Sequence, residues 1–218
     1  MLPTPSNLDQ INMSLDAIRQ LCLQRFDFFC TAVLGYQVTP FHADMINHIL
    51  STPHSLVLAP RGSGKSTIGD VAYCIWMILK FPNIRICIAS KSGPQAKGFL
   101  GEIKQHFESN TDLIKLFGDW CGPIWNEDEI VVSRRDKIKK EPTITAVGSG
   151  AGIPGRHFDL IIADDLVDLE NSATDHQREK TKSWFYAVLL PPLEPEGELR
   201  VIGTRYNVAD LYGHFAAK

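Results

Sequence analysis

The apolar positions of the chain keep two kinds of spacing. From Leu15 to Leu34 they fall at helical intervals (Leu15, Ile18, Leu21, Leu23, Phe26, Phe29, Cys30, Val33) and stop at Gly35, which predicts a helix. Pro40 to Leu50 reads as a second helix with a proline near its start. The pattern changes at Ser55. Ser55 to Ala59 is a short buried strand, followed by a glycine-rich turn and a long apolar helix from Lys65 to Leu79. Pro82 and Asn83 break the chain; Ile84 to Ala89 is the next strand and Gly93 to Glu108 the next helix.

Glu129 to Ser133 and Thr143 to Val147 read as two strands joined by a charged turn over 134–142. Gly148 to Gly155 is a glycine-rich loop, and Asp159 to Ala163 is an apolar strand closed by acids. Thr174 to Leu189 is helical, while Pro191, Pro192 and Pro195 mark a loop. Leu199 to Ile202 is a last strand and Val208 to Ala216 a last helix. Strands alternating with helices, several of them continuously apolar, predict an α/β fold with a mostly parallel sheet covered on both faces. Residues 1–38 form a helical segment ahead of one α/β domain over 39–218, since 218 residues hold one full domain of that kind and not two.

Composition narrows the class without naming it. Hydrophobic content of 44% and charged content of 22% are ordinary for a globular, water-soluble protein. The apolar runs are too short to span a bilayer, and Met1 to Gln10 lacks the basic start and apolar middle of a signal peptide. Cys22, Cys30, Cys74, Cys87 and Cys121 show no Cys-x-x-Cys spacing and read as reduced thiols in a cytoplasmic protein. The seven histidines show no spacing for a structural zinc. With 22 basic against 25 acidic residues, any contact with nucleic acid must be local or shared among several subunits.

The strongest chemical signal is Ala59-Pro60-Arg61-Gly62-Ser63-Gly64-Lys65-Ser66-Thr67. It matches G-x-x-x-x-G-K-[ST] with Ala59 in place of the first glycine. Gly62 and Gly64 let backbone N–H groups turn inward around a β-phosphate, Lys65 sets a point charge against the β- and γ-oxygens, and Ser66 offers its hydroxyl to Mg²⁺. The helix that follows points its positive end at the same phosphates. A bare G-K-[ST] arises by chance in roughly one chain in ten of this length. Here it lies between a buried strand and a helix, the context that such a cradle needs. Mg·ATP is the expected ligand. Arg61 is either a cis arginine for the γ-phosphate or a solvated loop residue.

A phosphate cradle needs one carboxylate for Mg²⁺ and another to orient water. Asp164 and Asp165, at the carboxyl end of a buried strand, supply both. Asp164 is assigned to the metal and Asp165 to the attacking water, with Asp168 or Glu170 as alternatives for the second role. Thr204, at the end of the last strand, could read the γ-phosphate and Arg205 could pass the result on. Arg156, in the glycine-rich loop, is either an arginine finger for a neighbouring subunit or a loop arginine paired with Asp159 or solvent.

Taken in order, these residues resemble the ATPase half of the large terminase of tailed phages. The resemblance starts at Pro40-Phe41-His42, where that family has its adenine-binding stretch. It continues through Pro60–Thr67, Ala96–Glu108 and Gly150–Arg156, then Asp164-Asp165, and closes on Gly203-Thr204-Arg205 with Asp210 starting a helix. His42 stands where related motors commonly carry glutamine. The resemblance implies a P-loop fold of the RecA-like (ASCE) type and ATP hydrolysis that drives double-stranded DNA into a procapsid. It also implies self-association into a ring, a small terminase subunit and a portal protein as partners, and the cytoplasm of an infected bacterium as the location. Such proteins carry a nuclease domain after the ATPase. No carboxylate cluster here suits a two-metal nuclease, so DNA cleavage is not expected, and that domain is expected to be cut away or separate.

Arg134, Arg135, Lys137, Lys139 and Lys140 crowd one turn, which is either a DNA or subunit contact or a solvated hairpin tip. The rival functions are a helicase-like or other nucleic-acid-dependent ATPase, a small-molecule kinase and a non-catalytic assembly module. A helicase of this class would need a second RecA-like domain.

Overall fold

The computed structural model describes Leu8, Ile11 and residues 13–217. The polar stretch Met1–Gln10 therefore lies, Leu8 apart, outside the described residues. The strands are β1 (His54–Leu58), β2 (Ile86–Ser90), β3 (Ile124–Trp125), β4 (Glu129–Val131), β5 (Ile144–Gly148), β6 (Phe158–Asp164) and β7 (Leu193–Gly203). They form one sheet in the order β1-β7-β6-β2-β5-β4-β3. From β1 to β5 every neighbouring pair is parallel, and β4 and β3 add an antiparallel edge.

The central strands are apolar throughout because both their faces are covered. Along β2 and β6, Ile86, Ile88, Leu160 and Ile162 point into one core. The alternating residues Cys87, Ala89, Ile161 and Ala163 point into the other. The first core is roofed by α1 (Leu15–Gln24), α2 (Phe26–Ala32), α3 (Pro40–Ser51), α4 (Tyr73–Lys80), α5 (Gly93–Ser109) and α6 (Thr111–Phe117). The second is roofed by α7 (Asp175–Trp184), its π-helical continuation Phe185–Leu189 and α8 (Leu211–Ala216).

Several boundaries differ from the expected ones for local reasons. The helix predicted from Leu15 to Leu34 is two helices broken at Arg25, whose backbone is extended (φ −119°, ψ 99°) and whose guanidinium binds the Asp27 carboxylate at 2.5 Å. Helix α6 and strand β3 were not foreseen; both are short, and Asn110 caps α6 by accepting from the Leu113 N–H. The proline-marked loop before the last strand is itself part of β7. Its register against β6 shifts between Phe158 and Leu160, an irregularity that tolerates Pro195.

The N-terminal helices belong to the core. Phe26 is 1% exposed and its ring lies 5.6 Å from Tyr73 and 5.1 Å from Trp76. The Trp76 Nε1–H donates to the Cys22 carbonyl at 2.8 Å. Truncating Phe26 to alanine removes a buried ring from this junction and is expected to cost about 3–5 kcal/mol. A lowered denaturant midpoint with an unchanged slope checks it; a midpoint equal to wild type would mean that these helices do not pack on the domain.

Candidate active site

Four parallel strands end side by side at the carboxyl edge of the sheet, and each delivers one part of the site. The phosphate cradle follows β1, Thr204 follows β7, Asp164 ends β6, and Lys91 follows β2. Because β7 lies between β1 and β6, the last strand of the chain sits between the cradle and the acids. Open α/β sheets bind ligands at this edge.

The cradle is held open by backbone conformation. Gly62 and Gly64 have φ of +75° and +76°, a region that favours glycine. Lys65 is 5% exposed, with Nζ 3.5 Å from the Asp165 carboxylate. The Ser66 hydroxyl donates to Asp164 Oδ2 at 2.8 Å, so the two expected magnesium ligands already touch. The other oxygen, Asp164 Oδ1, is buried and accepts no hydrogen bond from the described residues. An orphaned carboxylate oxygen beside a serine hydroxyl suits a hard cation that takes its remaining ligands from phosphate and water. Among the described residues there is no group of three or more His, Cys, Asp or Glu that could hold a metal ion.

Burial and the neighbouring charge of Asp165 push the Asp164 carboxyl up to about 6. A third carboxylate, absent from the sequence reading, lies behind it. Asp70 is fully buried on the π-helical segment Thr67–Ala72, and burial first, then Asp164, push its pKa well above the ordinary range. Neither of its oxygens meets a donor among the described residues, so burial favours the neutral acid, whose O–H is available to Asp164. A buried aspartate inside an otherwise apolar helix was the available signal. The π turn also brings Gly69 against Ile202 of β7, where a Cβ would come within 2.3 Å of the Ile202 side chain.

The remaining residues sort by position. Asp165 has φ of +44°, the left-handed region, and its strained backbone aims the carboxylate at Lys65. Asp165 and Asp168 both line a cleft of about 400 Å³ with Arg61, Gly62, Lys65 and Lys91; Glu170 does not. Arg61 rests over the Tyr206 ring, 5.6 Å from its centroid. The Thr204 hydroxyl donates to the Ala59 carbonyl at 3.1 Å, which ties β7 to the start of the cradle. Gly203 is needed for packing: a Cβ there would lie 2.5 Å from the Tyr212 ring.

His42 is buried beneath the cradle, with Nε2 2.7 Å from the Ser63 carbonyl and Nδ1 accepting from the Thr39 N–H at 3.2 Å. Both ring nitrogens thus serve the protein's own backbone, and Phe41 beside it is the more exposed of the two, at 39%. Pro60 and Ser63 lie in the turn, and Thr67 starts the π-helical segment.

Arg156 is not brought to this chain's own cleft. Its Nη1 donates to Glu129 at 2.5 Å and to the Thr145 hydroxyl at 2.9 Å, whereas Asp159 is taken by Arg85 at 2.6 Å. The basic turn is mostly engaged as well. Arg134 lies over Trp120, Arg135 donates to the Glu141 carbonyl, Lys139 pairs with Asp159 and Lys140 donates to the Gly155 carbonyl.

The chain is 31% identical over 162 residues to the terminase large subunit of Enterobacteria phage T3, a match covering 72% of this chain and 26% of that protein. The chain therefore spans about a quarter of this relative's length. The large terminase of bacteriophage HK97 superposes with a TM-score of 0.60 at 16% identity, over 88% of this chain and 40% of that one. The large terminase ATPase domain of Thermus phage P74-26 gives 0.55 at 15% identity, over 85% and 72%. No family model matches the sequence. The two structural likenesses show the fold, and the T3 match bears out the resemblance read from the motifs.

Asp70 supplies a stability prediction. Its folded pKa lies above the unfolded value, so its contribution is full below about pH 4 and is lost as pH rises through the folded value. Asp70→Asn keeps a donor toward Asp164 without needing a proton. At pH 7 it is expected to raise the melting temperature of the nucleotide-free protein by ~2–4 °C, about 1 kcal/mol, with the gain shrinking toward pH 4. A gain of the same size at both pH values, or no gain at pH 7, would show that the fold does not raise the Asp70 pKa.

Proposed function

We infer that this chain, a homologue of the phage terminase large subunit, is the ATPase of a motor that hydrolyses Mg·ATP to move double-stranded DNA into a procapsid. The observation that carries the reading is the carboxyl edge of the sheet. There Gly62 and Lys65 of the cradle and Asp165 line one cleft, the Ser66–Asp164 contact is made by their chain neighbours, and β7 lies between the two strands that carry them.

Each residue has a task in that reaction. The cradle amides and Lys65 hold the β- and γ-phosphates. Ser66 and Asp164 would hold Mg²⁺, which would supply positive charge against the charge that develops on the phosphates. Asp165, with Asp168 as the alternative, orients a water and takes its proton. The water oxygen bonds to the γ-phosphorus, and the bond to the bridging oxygen breaks with its electron pair left on ADP. Arg61 leaves the Tyr206 ring to face the γ-phosphate. Thr204 sits where a change at the cradle is passed directly into β7, and so toward whatever grips DNA.

Arg156 reads best as a residue offered to a neighbour. It does not line its own cleft and is held by Glu129 and Thr145, from which a neighbour's nucleotide would draw it, with the ring, the small terminase subunit and the portal as the motor's partners in a bacterial host cytoplasm. Among the described residues no helix is long and apolar enough to cross a membrane. The chain's coverage of about a quarter of the T3 relative leaves any nuclease function outside this reading.

The expected outcome is that Lys65→Ala and Asp164→Ala each lower steady-state ATP turnover at least ~100-fold, while Arg156→Ala lowers turnover and leaves ATP affinity within twofold. Turnover that rises with protein concentration and with added DNA supports a ring motor. Wild-type turnover by Lys65→Ala would refute the assignment.

A further inference from the structure

Lys91 has no place in the motifs considered so far, yet the fold sets it in the cleft. Strand β2 lies directly beside β6, with Ser90 in register with Asp164. Lys91 therefore occupies beside β6 the position that Asp165 occupies within it, one residue past the strand. Only Lys91 and Ser92 separate β2 from α5, and Ser92 caps that helix by accepting from the Gln95 N–H. So short a connection fixes where the Lys91 side chain starts. It lines the same cleft as Arg61, Lys65 and Asp165.

In the nucleotide-free protein Lys91 Nζ is 3.0 Å from Asp168 Oδ2, with 41% of its side chain exposed. Half-exposed ion pairs of this kind hold weakly. A triphosphate in the cleft brings several negative charges within reach of a flexible ammonium, a stronger attraction than one screened carboxylate.

We propose that Lys91 is a catalytic residue in cis, leaving Asp168 when nucleoside triphosphate binds and placing its ammonium on the terminal phosphoryl oxygens. Lys65 grips the β- and γ-phosphates from the cradle side, and Lys91 meets the γ-phosphoryl group from the β2 side. Charge accumulating there as the bridging bond breaks is then shared by two lysines. Release of Asp168 also frees a second carboxylate beside the attacking water. The γ-phosphate is needed for this contact, so ADP does not recruit Lys91. The proposal rests on the reading of the site as an ATPase.

The test uses the full chain with Mg·ATP and compares wild type, Lys91→Met and Lys91→Arg. Lys91→Met is expected to lower kcat about 100-fold while ADP affinity stays within twofold, and Lys91→Arg is expected to recover at least a tenth of wild-type kcat. Should Lys91→Met fail to fold by circular dichroism, Lys91→Gln carries the same two expectations. A kcat within threefold of wild type overturns the proposal and leaves the ATPase reading intact. A parallel loss of ADP affinity and turnover also overturns it, because the lysine would then only shape the pocket. No magnesium-dependent turnover by wild type overturns the ATPase reading, and this proposal with it.

Discussion

The hydrogen bond from Ser66 to Asp164, 2.8 Å long, joins two parts of the chain 98 residues apart, and the site depends on it. Ser66 is set by the cradle after β1, and Asp164 by the end of β6. The gap between those strands is filled by β7, so the contact requires β1, β7 and β6 to pair in parallel and in register. Two cores of alternating side chains hold that arrangement from either face. A fault in either core would displace the serine from the acid before it touched any residue of the cleft.

The same region concentrates the unfavourable electrostatics of the molecule. Asp70, Asp164 and Asp165 lie together, two of them buried, and Lys65 is the cation placed among them. Natural proteins keep such clusters where function needs them and accept the loss of stability. On the proposed function, a divalent cation and a polyphosphate would relieve this strain together, the metal neutralising the acids while the nucleotide occupies the lysine.

Much of this was legible in the residues. The strand–turn–helix around Lys65, the apolar strand ending at Asp164 and the position of Thr204 were readable because backbone chemistry dictates them: glycine at positive φ, continuous apolar strands, small residues where a ring packs. The break at Arg25 was not readable, because helical spacing continues across it while the backbone there turns extended. His42 illustrates a second limit. Its place next to the cradle was foreseen, but its use as a strut under Ser63 depends on a contact 21 residues away. Asp70 and Lys91 were missed for a related reason. Asp70 stood out only as an acid in an apolar helix and Lys91 not at all; the π turn sets Asp70 behind Asp164, and strand order sets Lys91 in the cleft. Arg156 could be placed on its loop, whereas its pairing with Glu129 depends on the antiparallel edge formed by β4 and β5.

The most direct measurement is isothermal titration of the folded chain with ATP, with and without magnesium. A site built on the Ser66–Asp164 contact predicts a dissociation constant in the ~1 μM to 1 mM range with the metal and a loss of affinity of at least about tenfold when it is chelated. Affinity that is absent, or indifferent to magnesium, in protein shown to be folded would contradict it.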